Sequence, residues 1–278
     1  MVCVQCARMR TMKPFNALPD AALRRVRGIL TDIDGTLTTE GRLPATTYLA
    51  LDRLARAGLH VIPVTGRCIA WAEILVRLWP VDAIIGENGA FYSHIHHNKL
   101  VTRFLDDAAT RAANLEKIHA LGQRIVREVP GCALASDQAW HAADLAIDHA
   151  EDVAPLPQAA VDRIAALMRE AGMTATVSSI HVNGWFGQHD KLSMSRLCAR
   201  ELLGDDVGDL DAARDEWLFI GDSANDAAMF GHFPLSVGVA NVREILDQLP
   251  VAPAYVTEAA GGEGFAEMAE RLLAVRKD

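Results

Sequence analysis

Two apolar runs that end in clustered carboxylates constrain this chain more than any other feature. Ile29-Leu30 opens into Asp32-Ile33-Asp34-Gly35-Thr36, and Trp217-Leu218-Phe219-Ile220 opens into Gly221-Asp222-Ser223-Ala224-Asn225-Asp226. Short apolar runs bounded by turn residues read as strands buried on both faces, the kind that parallel sheets are made of. The stretch from Gly28 to Phe91 fits that reading. Strand Gly28–Asp32 is followed by a helix from Thr46 to Ala57, stopped by Gly58, and by strand Leu59–Val64, ending in Thr65-Gly66-Arg67. An apolar-rich helix from Ile69 to Leu78 then leads to strand Ala83–Ile85, ending in Gly86-Glu87-Asn88-Gly89. Strands separated by helices predict a parallel sheet covered on both faces.

The rhythm then changes. Phe91–His96 and Lys99–Phe104 flank His97-Asn98 as a hairpin with a tight polar turn. A long helix with Leu115, Ile118, Leu121, Ile125 and Val129 on one face precedes strands Cys132–Ala135 and Asp144–Ile147. A second helix, with Val161, Ile164, Ala165 and Met168 at its spacing, precedes strands Thr174–Ser178 and His181–Phe186. Helix–strand–strand twice over predicts an α+β unit on an antiparallel sheet. The α/β rhythm resumes at Lys191. The expected fold class is α/β: one parallel-sheet domain in two segments, with a smaller α+β unit inserted between them.

At 278 residues and 50% hydrophobic, the chain can bury one large core or a core plus a smaller one. Its net charge of −9 argues against a nucleic-acid partner, which would need a basic stripe. An anionic substrate must then be met by local positive charge, from a metal or a lysine. No apolar run is long enough to span a bilayer. Five scattered cysteines, an odd number, argue against a disulfide framework. Cys3 and Cys6 form a CxxC that lacks a second pair for a zinc site. The first nineteen residues hold Arg8, Arg10 and Lys13 and no acid, yet lack the apolar core of a secretory signal. Residues 1–26 are read as an N-terminal extension, either disordered or partly upstream of a true start at Met9 or Met12, and the protein as cytoplasmic, with neither a membrane nor a nucleic-acid partner.

Four stations carry the chemistry. Asp32 with Asp34, Thr65, and Asp222 with Asp226 each sit just past an apolar strand, at the carboxyl edge of an open parallel sheet where ligands bind. Lys191 opens a helix that can lean over the same edge. Carboxylates gathered there suit a hard divalent cation such as Mg²⁺, and one of them can serve as a nucleophile. Phosphoryl transfer asks chiefly for positioning and for neutralised charge on the equatorial oxygens. A divalent cation, one ammonium, one hydroxyl and backbone N–H groups would supply that. The offset between the first two acids divides the labour. Asp32, on the last strand residue, can attack phosphorus in line; Asp34, in the turn opened by Gly35, can protonate the leaving oxygen and later deprotonate water.

Taken together, DIDGT (32–36), VTGR (64–67), Lys191 and GDSAND (221–226) resemble the four motifs of the haloacid dehalogenase-like (HAD) phosphatase superfamily, in order and roughly in spacing. The doubled helix–strand–strand insertion resembles the α/β cap of the Cof-like and sucrose- or trehalose-phosphate phosphatase branch. The resemblance implies a Rossmann-like catalytic core in residues 27–90 and 187–278 and an α/β cap domain in residues 91–186. It implies Asp32 as nucleophile and metal ligand, and Asp34 as acid/base with its backbone carbonyl on the metal. Thr65, with Gly66 of the same loop, and Lys191 become phosphate binders. Asp222 becomes a metal ligand, Asp226 a supporting or water-mediated ligand, and Asn225 a neighbour of the phosphate. Arg67 either touches substrate or bridges to an acid. The implied activity is Mg²⁺-dependent hydrolysis of a small phosphorylated metabolite, a sugar or polyol phosphate, through an aspartyl-phosphate under a mobile cap. The alternative is a phosphohexomutase-like phosphotransferase on the same core. A non-catalytic phosphate-binding or signalling protein fits less well, because receiver domains are shorter and have no counterpart of GDSAND.

Other motifs carry plainer expectations. His94 and His96 share a hairpin face while His97 sits in the turn, which predicts an exposed loop rather than a ligand set. Gly86-Glu87-Asn88-Gly89 either positions substrate or forms a structural turn. His181, Asn183 and Trp185 alternate onto one strand face, which either looks onto the active site or packs. Gly261-Gly262-Glu263-Gly264 lacks the GxGxxG layout and reads as a helix-start turn.

Overall fold

The structure, a computed structural model, describes residues 12–276. In chain order the first part holds β1 (Lys13–Pro14), α1 (Asp20–Arg25), β2 (Gly28–Thr31), α2 (Ala45–Arg56), β3 (His60–Pro63), α3 (Ile69–Leu78), β4 (Ala83–Gly86), β5 (Phe91–His96) and β6 (Lys99–Phe104). The middle holds α4 (Ala108–Glu128), β7 (Ala133–Leu134), β8 (Asp144–Asp148), α5 (Gln158–Glu170), β9 (Thr174–Val177) and β10 (His181–Trp185). The last part holds α6 (Lys191–Gly208), β11 (Trp217–Gly221), α7 (Ala227–His232), β12 (Leu235–Gly238), β13 (Tyr255–Val256) and α8 (Gly261–Val275).

The core sheet runs β1-β13-β12-β11-β2-β3, with every pair parallel. Its central strands β2 and β11 are buried along their whole length, as their unbroken apolar sequence requires. Helices α2 and α8 cover one face, with Leu51, Leu54, Phe265 and Leu272 packed on Ile29 and Leu218. Helices α6 and α7 cover the other, with Met194, Cys198, Met229 and Phe230 packed on Leu30 and Phe219. Beyond β3 a parallel bridge between Val64 and Ile85 brings β4 alongside.

Residues 12–26 correct the expected disordered extension. β1 pairs with β13, and Phe15, Leu18, Leu23 and Val26 are buried in the cluster under α2 and α8. Arg271 of α8 donates to the carbonyl oxygens of Phe15 and Leu18. Four apolar residues in a short segment make no readable period, yet each removes apolar surface from water once α8 is in place. Cys3 and Cys6 lie outside the described residues.

The hairpin β5–β6, grouped on sequence rhythm with the insertion, pairs antiparallel with β4 instead. Phe91 and Ala90 pack with Ala72 and Val76 of α3, and Tyr92 joins the α6 side of the core. Its turn places His97 and Asn98 at φ 47° and 60°, as mirror-image hairpin turns require.

The cap has its own antiparallel sheet, β7-β8-β10-β9. Leu145, Ile147 and Val182 point at α4 and α5, among Ile118, Ile125, Ile164 and Met168. The strand period of two then turns Asp144, His181, Asn183 and Trp185 to the opposite face, toward the carboxyl edge of the core sheet. Among the described residues, no helix is long and apolar enough to cross a membrane.

Candidate active site

Asp32 follows β2 directly, and its N–H still bonds to Ile220 of β11 at 2.9 Å, which pins it between the two central strands. The chain then turns at Gly35, where φ is +76° and a Cβ would lie 2.3 Å from Asp222 Oδ2. Only glycine fits a left-handed turn this close to a carboxylate. On the neighbouring strand, Asp222 follows β11. Asp226 closes the same loop, its Oδ2 accepting the N–H groups of Asp222 at 3.0 Å and Ser223 at 3.2 Å. Lys191 is the first residue of α6, whose start is fixed by a reciprocal capping pair between Asp190 and Ser193.

These loops bring one oxygen each of Asp32, Asp222 and Asp226 within 4.8 Å of one another. All three are buried, and Lys191 is 1% exposed. Its Nζ lies 2.7 Å from Asp32 Oδ1 and 2.7 Å from Asp226 Oδ1. Asp222 is held by the Thr36 hydroxyl at 3.1 Å and by Asn241 Nδ2 at 2.9 Å. Burial pushes the Asp32 carboxyl up to about 7, with Lys191 opposing and Asp226 adding to the rise. Burial likewise raises Asp222 well above the carboxylate range, reinforced by Asp32 and Asp226. Burial works against the Lys191 charge, but Asp226 and Asp32 outweigh it and leave the ammonium above the ordinary lysine value. Three buried carboxylates against one ammonium is an uncompensated arrangement, costly in an apolar interior. Hard oxygen donors around that excess negative charge fit a divalent cation.

Asp34 faces elsewhere. Arg67 grips it with two bonds, Nε to Oδ2 at 3.0 Å and Nη2 to Oδ1 at 2.8 Å. Arg67 Nη2 also reaches Glu151 of the cap at 2.6 Å, so the arginine bridges to acids of both domains. Burial opposes its charge, while Asp34 and Glu151 hold its pKa above the usual arginine value. Thr65 is buried, its hydroxyl accepting the Arg67 N–H at 3.0 Å. Asn225 donates to Asn88 Oδ1 at 3.2 Å.

The cap face closes over these groups. A cavity of about 10 Å³ lies among Asp32, Asp34, Gly66, Arg67, His181 and Asn183, so His181 and Asn183 do look onto the site. Trp185 instead faces a cavity of about 230 Å³ beside Lys191, Asn88 and Asn225. A wider cleft of about 690 Å³ opens next to Asp222 and Asn241, walled by Ser178 and Arg169 of the cap.

Several participants had no role, or an open one, on sequence alone; Glu87 and Asn88 stood in the turn read as either positioning substrate or structural. Asn241 follows β12 much as the other stations follow their strands, and that placement was a usable signal. Thr36 lay inside the first motif. Asn88 carries a buried Nδ2 with no hydrogen-bond partner. Glu87 ties the cap down, accepting the N–H groups of Ala142 at 2.9 Å and Ala143 at 2.6 Å. Beside it, His141 sits between Asp137 and Asp144, and Asp144 accepts Asn183 Nδ2 at 3.0 Å. Burial alone would lower the His141 pKa, but Asp144 and Asp137 raise it well above the usual value. Cys68, Asp137 and His141, or Glu87, His141 and Asp144, bring metal-binding residue types together. Both ring nitrogens of His141 are taken up by Asp144 and Asp137, and Glu87 holds the next two backbone N–H groups, so these residues clasp cap to core.

Residues 29–125 match the family described as haloacid dehalogenase-like hydrolase. The chain is 30% identical over 237 residues to a phosphoglycolate phosphatase from Halorubrum lacusprofundi, covering 83% of this chain and 92% of that one. A crystal structure of a Thermoplasma acidophilum protein superposes with a TM-score of 0.65 at 19% identity, covering 89% of this chain and 98% of that one. The sucrose-phosphatase of Synechocystis, solved with sucrose and phosphate, gives 0.60 at 17% identity, covering 90% and 98%. Both structures share the core and its inserted cap. With the full-length relative, the matched family and the carboxylate-ended strands in agreement, the chain belongs to the haloacid dehalogenase-like hydrolases, as a phosphomonoester hydrolase.

Proposed function

We propose that this phosphatase is Mg²⁺-dependent and hydrolyses a short phosphomonoester through an aspartyl-phosphate on Asp32. The observation that carries the reading is the buried trio of Asp32, Asp222 and Asp226 facing a single lysine. A Mg²⁺ ion held by these three, and by the Asp34 backbone carbonyl, would cancel the repulsion between an attacking carboxylate and a phosphate dianion. Lys191 steadies the Asp32 carboxylate and offers positive charge to the phosphoryl oxygens. Thr65, Gly66 and Asn225 line the place those oxygens would take. A carboxylate oxygen of Asp32 forms the bond to phosphorus as the ester oxygen leaves, and the leaving oxygen takes its proton from Asp34. Asp34 then takes a proton from water, whose oxygen attacks the aspartyl-phosphate and frees both phosphate and Asp32. Arg67 pairs with Asp34 in its ionised form, the base; to act as the acid, Asp34 must carry a proton and be released from at least one of those two bonds. The cap excludes bulk water meanwhile.

Phosphoglycolate stands ahead of sugar and polyol phosphates, because the Halorubrum relative is named a phosphoglycolate phosphatase and Arg67 lines the cavity over Asp32. The deciding experiment is phosphate release over a panel of metabolite esters, with Mg²⁺ and with EDTA. Metal-dependent release that Asp32→Asn abolishes is expected. Near-normal turnover by Asp32→Asn removes the covalent route, and transfer to another sugar hydroxyl without free phosphate would favour a mutase.

A further inference from the structure

Two donors from different domains close on one cap carboxylate beside the reacting groups. Arg67 Nη2 lies 2.6 Å from Glu151 Oε1, and His181 Nε2 lies 2.8 Å from Glu151 Oε2. Arg67 belongs to the core loop after β3 and His181 opens cap strand β10, so the carboxylate has one partner from each side of the cleft, one on each oxygen.

Three features separate this arrangement from an ordinary surface ion pair. The clamp adjoins the chemistry, since Arg67 also grips Asp34 and both donors line the small cavity with Asp32. His181 is 4% exposed, yet its Nε2 makes no aligned hydrogen bond despite its closeness to Glu151. A buried donor without a well-placed acceptor is costly, and marks a spot where a better-fitting acceptor gains. Glu151 is also the loosest member, its side chain 27% exposed. Its backbone is anchored separately, the N–H donating to Asp148 Oδ1 at 2.8 Å. Turning that one side chain into solvent would empty the clamp without moving the loop.

We propose that Arg67 and His181 form a subsite for a carboxylate carried by the substrate, and that Glu151 fills it until the substrate displaces it. The inference rests on the phosphatase reading and deepens it. With phosphate over Asp32, a carboxylate one carbon beyond the ester oxygen would point toward Arg67 and His181, which line the same cavity and place one donor for each of its two oxygens. A neutral polyol ester offers these donors no charge, so it cannot replace Glu151 at equal strength.

The test compares two esters of equal length, 2-phosphoglycolate and 2-hydroxyethyl phosphate, with the full chain and Mg²⁺. The wild type is expected to favour the acid in kcat/KM by on the order of 100-fold, the scale of losing charge-assisted bonds. Glu151→Ala lowers KM for the acid several-fold and leaves the neutral ester behind. His181→Phe, which keeps a buried ring, cuts the preference by roughly tenfold, mainly through KM. The wild-type ratio needs no variant to fold. Equal efficiency on the two esters, or a raised KM for the acid in Glu151→Ala, overturns the subsite and leaves the phosphatase standing. Release from neither ester, nor from p-nitrophenyl phosphate, defeats the phosphatase reading and the subsite with it.

Discussion

Replacing Lys191 by methionine keeps the apolar stem and approximate volume of a side chain that is 1% exposed, and removes only its charge. Two contacts of 2.7 Å are lost, to Asp32 and to Asp226. Each represents about 6 kcal/mol of Coulomb attraction at an effective dielectric near 20, largely offset by desolvating the ions. What remains is three buried carboxylates with no cation, and deleting one partner of a buried pair costs about 3–5 kcal/mol. In EDTA at pH 8, urea unfolding followed by tryptophan fluorescence should shift the core transition down by that amount. Millimolar Mg²⁺ should then stabilise the variant more than the wild type, because a divalent cation substitutes for the missing charge. Turnover remains depressed even with saturating metal, since Mg²⁺ does not restore the ammonium at the phosphoryl oxygens. A variant within about 1 kcal/mol of wild type in EDTA, the range of a featureless substitution, would refute the view that Lys191 balances an excess of buried negative charge.

Three further outcomes follow from particular contacts. Asp34→Asn should slow hydrolysis of alkyl phosphates far more than of p-nitrophenyl phosphate, whose leaving group needs little protonation; equal losses on both would take the acid role from Asp34. His141 is held protonated above its ordinary value of 6.5 because Asp144 and Asp137 outweigh its burial. The native state therefore keeps a proton that the unfolded chain releases. Its stabilisation is complete below about pH 6.5 and is lost as pH rises toward the folded-state pKa, by up to about 1.4 kcal/mol per pH unit. His141→Gln should flatten that limb in urea titrations with Mg²⁺ between pH 6 and 9, and parallel curves would count against the clasp. Phe15→Ala should cost about 3–5 kcal/mol of stability; a loss near zero would return residues 12–26 to the status of a loose extension.

The stations at Asp32, Thr65 and Asp222 were legible because each lies one step past a run of apolar residues, and a buried strand announces itself by that continuity alone. Gly35 marked the turn that holds Asp34 by an equally local signal, a glycine directly after the second acid. The antiparallel unit showed in the alternation around Leu145, Ile147 and Val182, whose partners on the other face became His181 and Asn183. By contrast, Arg67 had two readings open, and its choice of Asp34 and Glu151 depends on how close the cap sits. The β5–β6 hairpin looked like the start of the insertion because β4, which it joins, lies beside β3 only after the sheet has formed. Glu151 gave no signal at all: an acid in a polar loop looks like any other until His181 is beside it.

The order of strands and helices, the edge at which acids collect, and the existence of an inserted second sheet were written in residue patterns a few positions long. Tertiary structure decided which charges meet: Lys191 with Asp32, 159 residues away, and Arg67 with Glu151, 84 residues away. It also decided that Phe15 and Leu18 complete the core rather than trail from it. The reason is the range over which each influence acts. Backbone periodicity and turn chemistry work between covalent neighbours, whereas ion pairing and desolvation depend on distance through space, which only the folded chain sets.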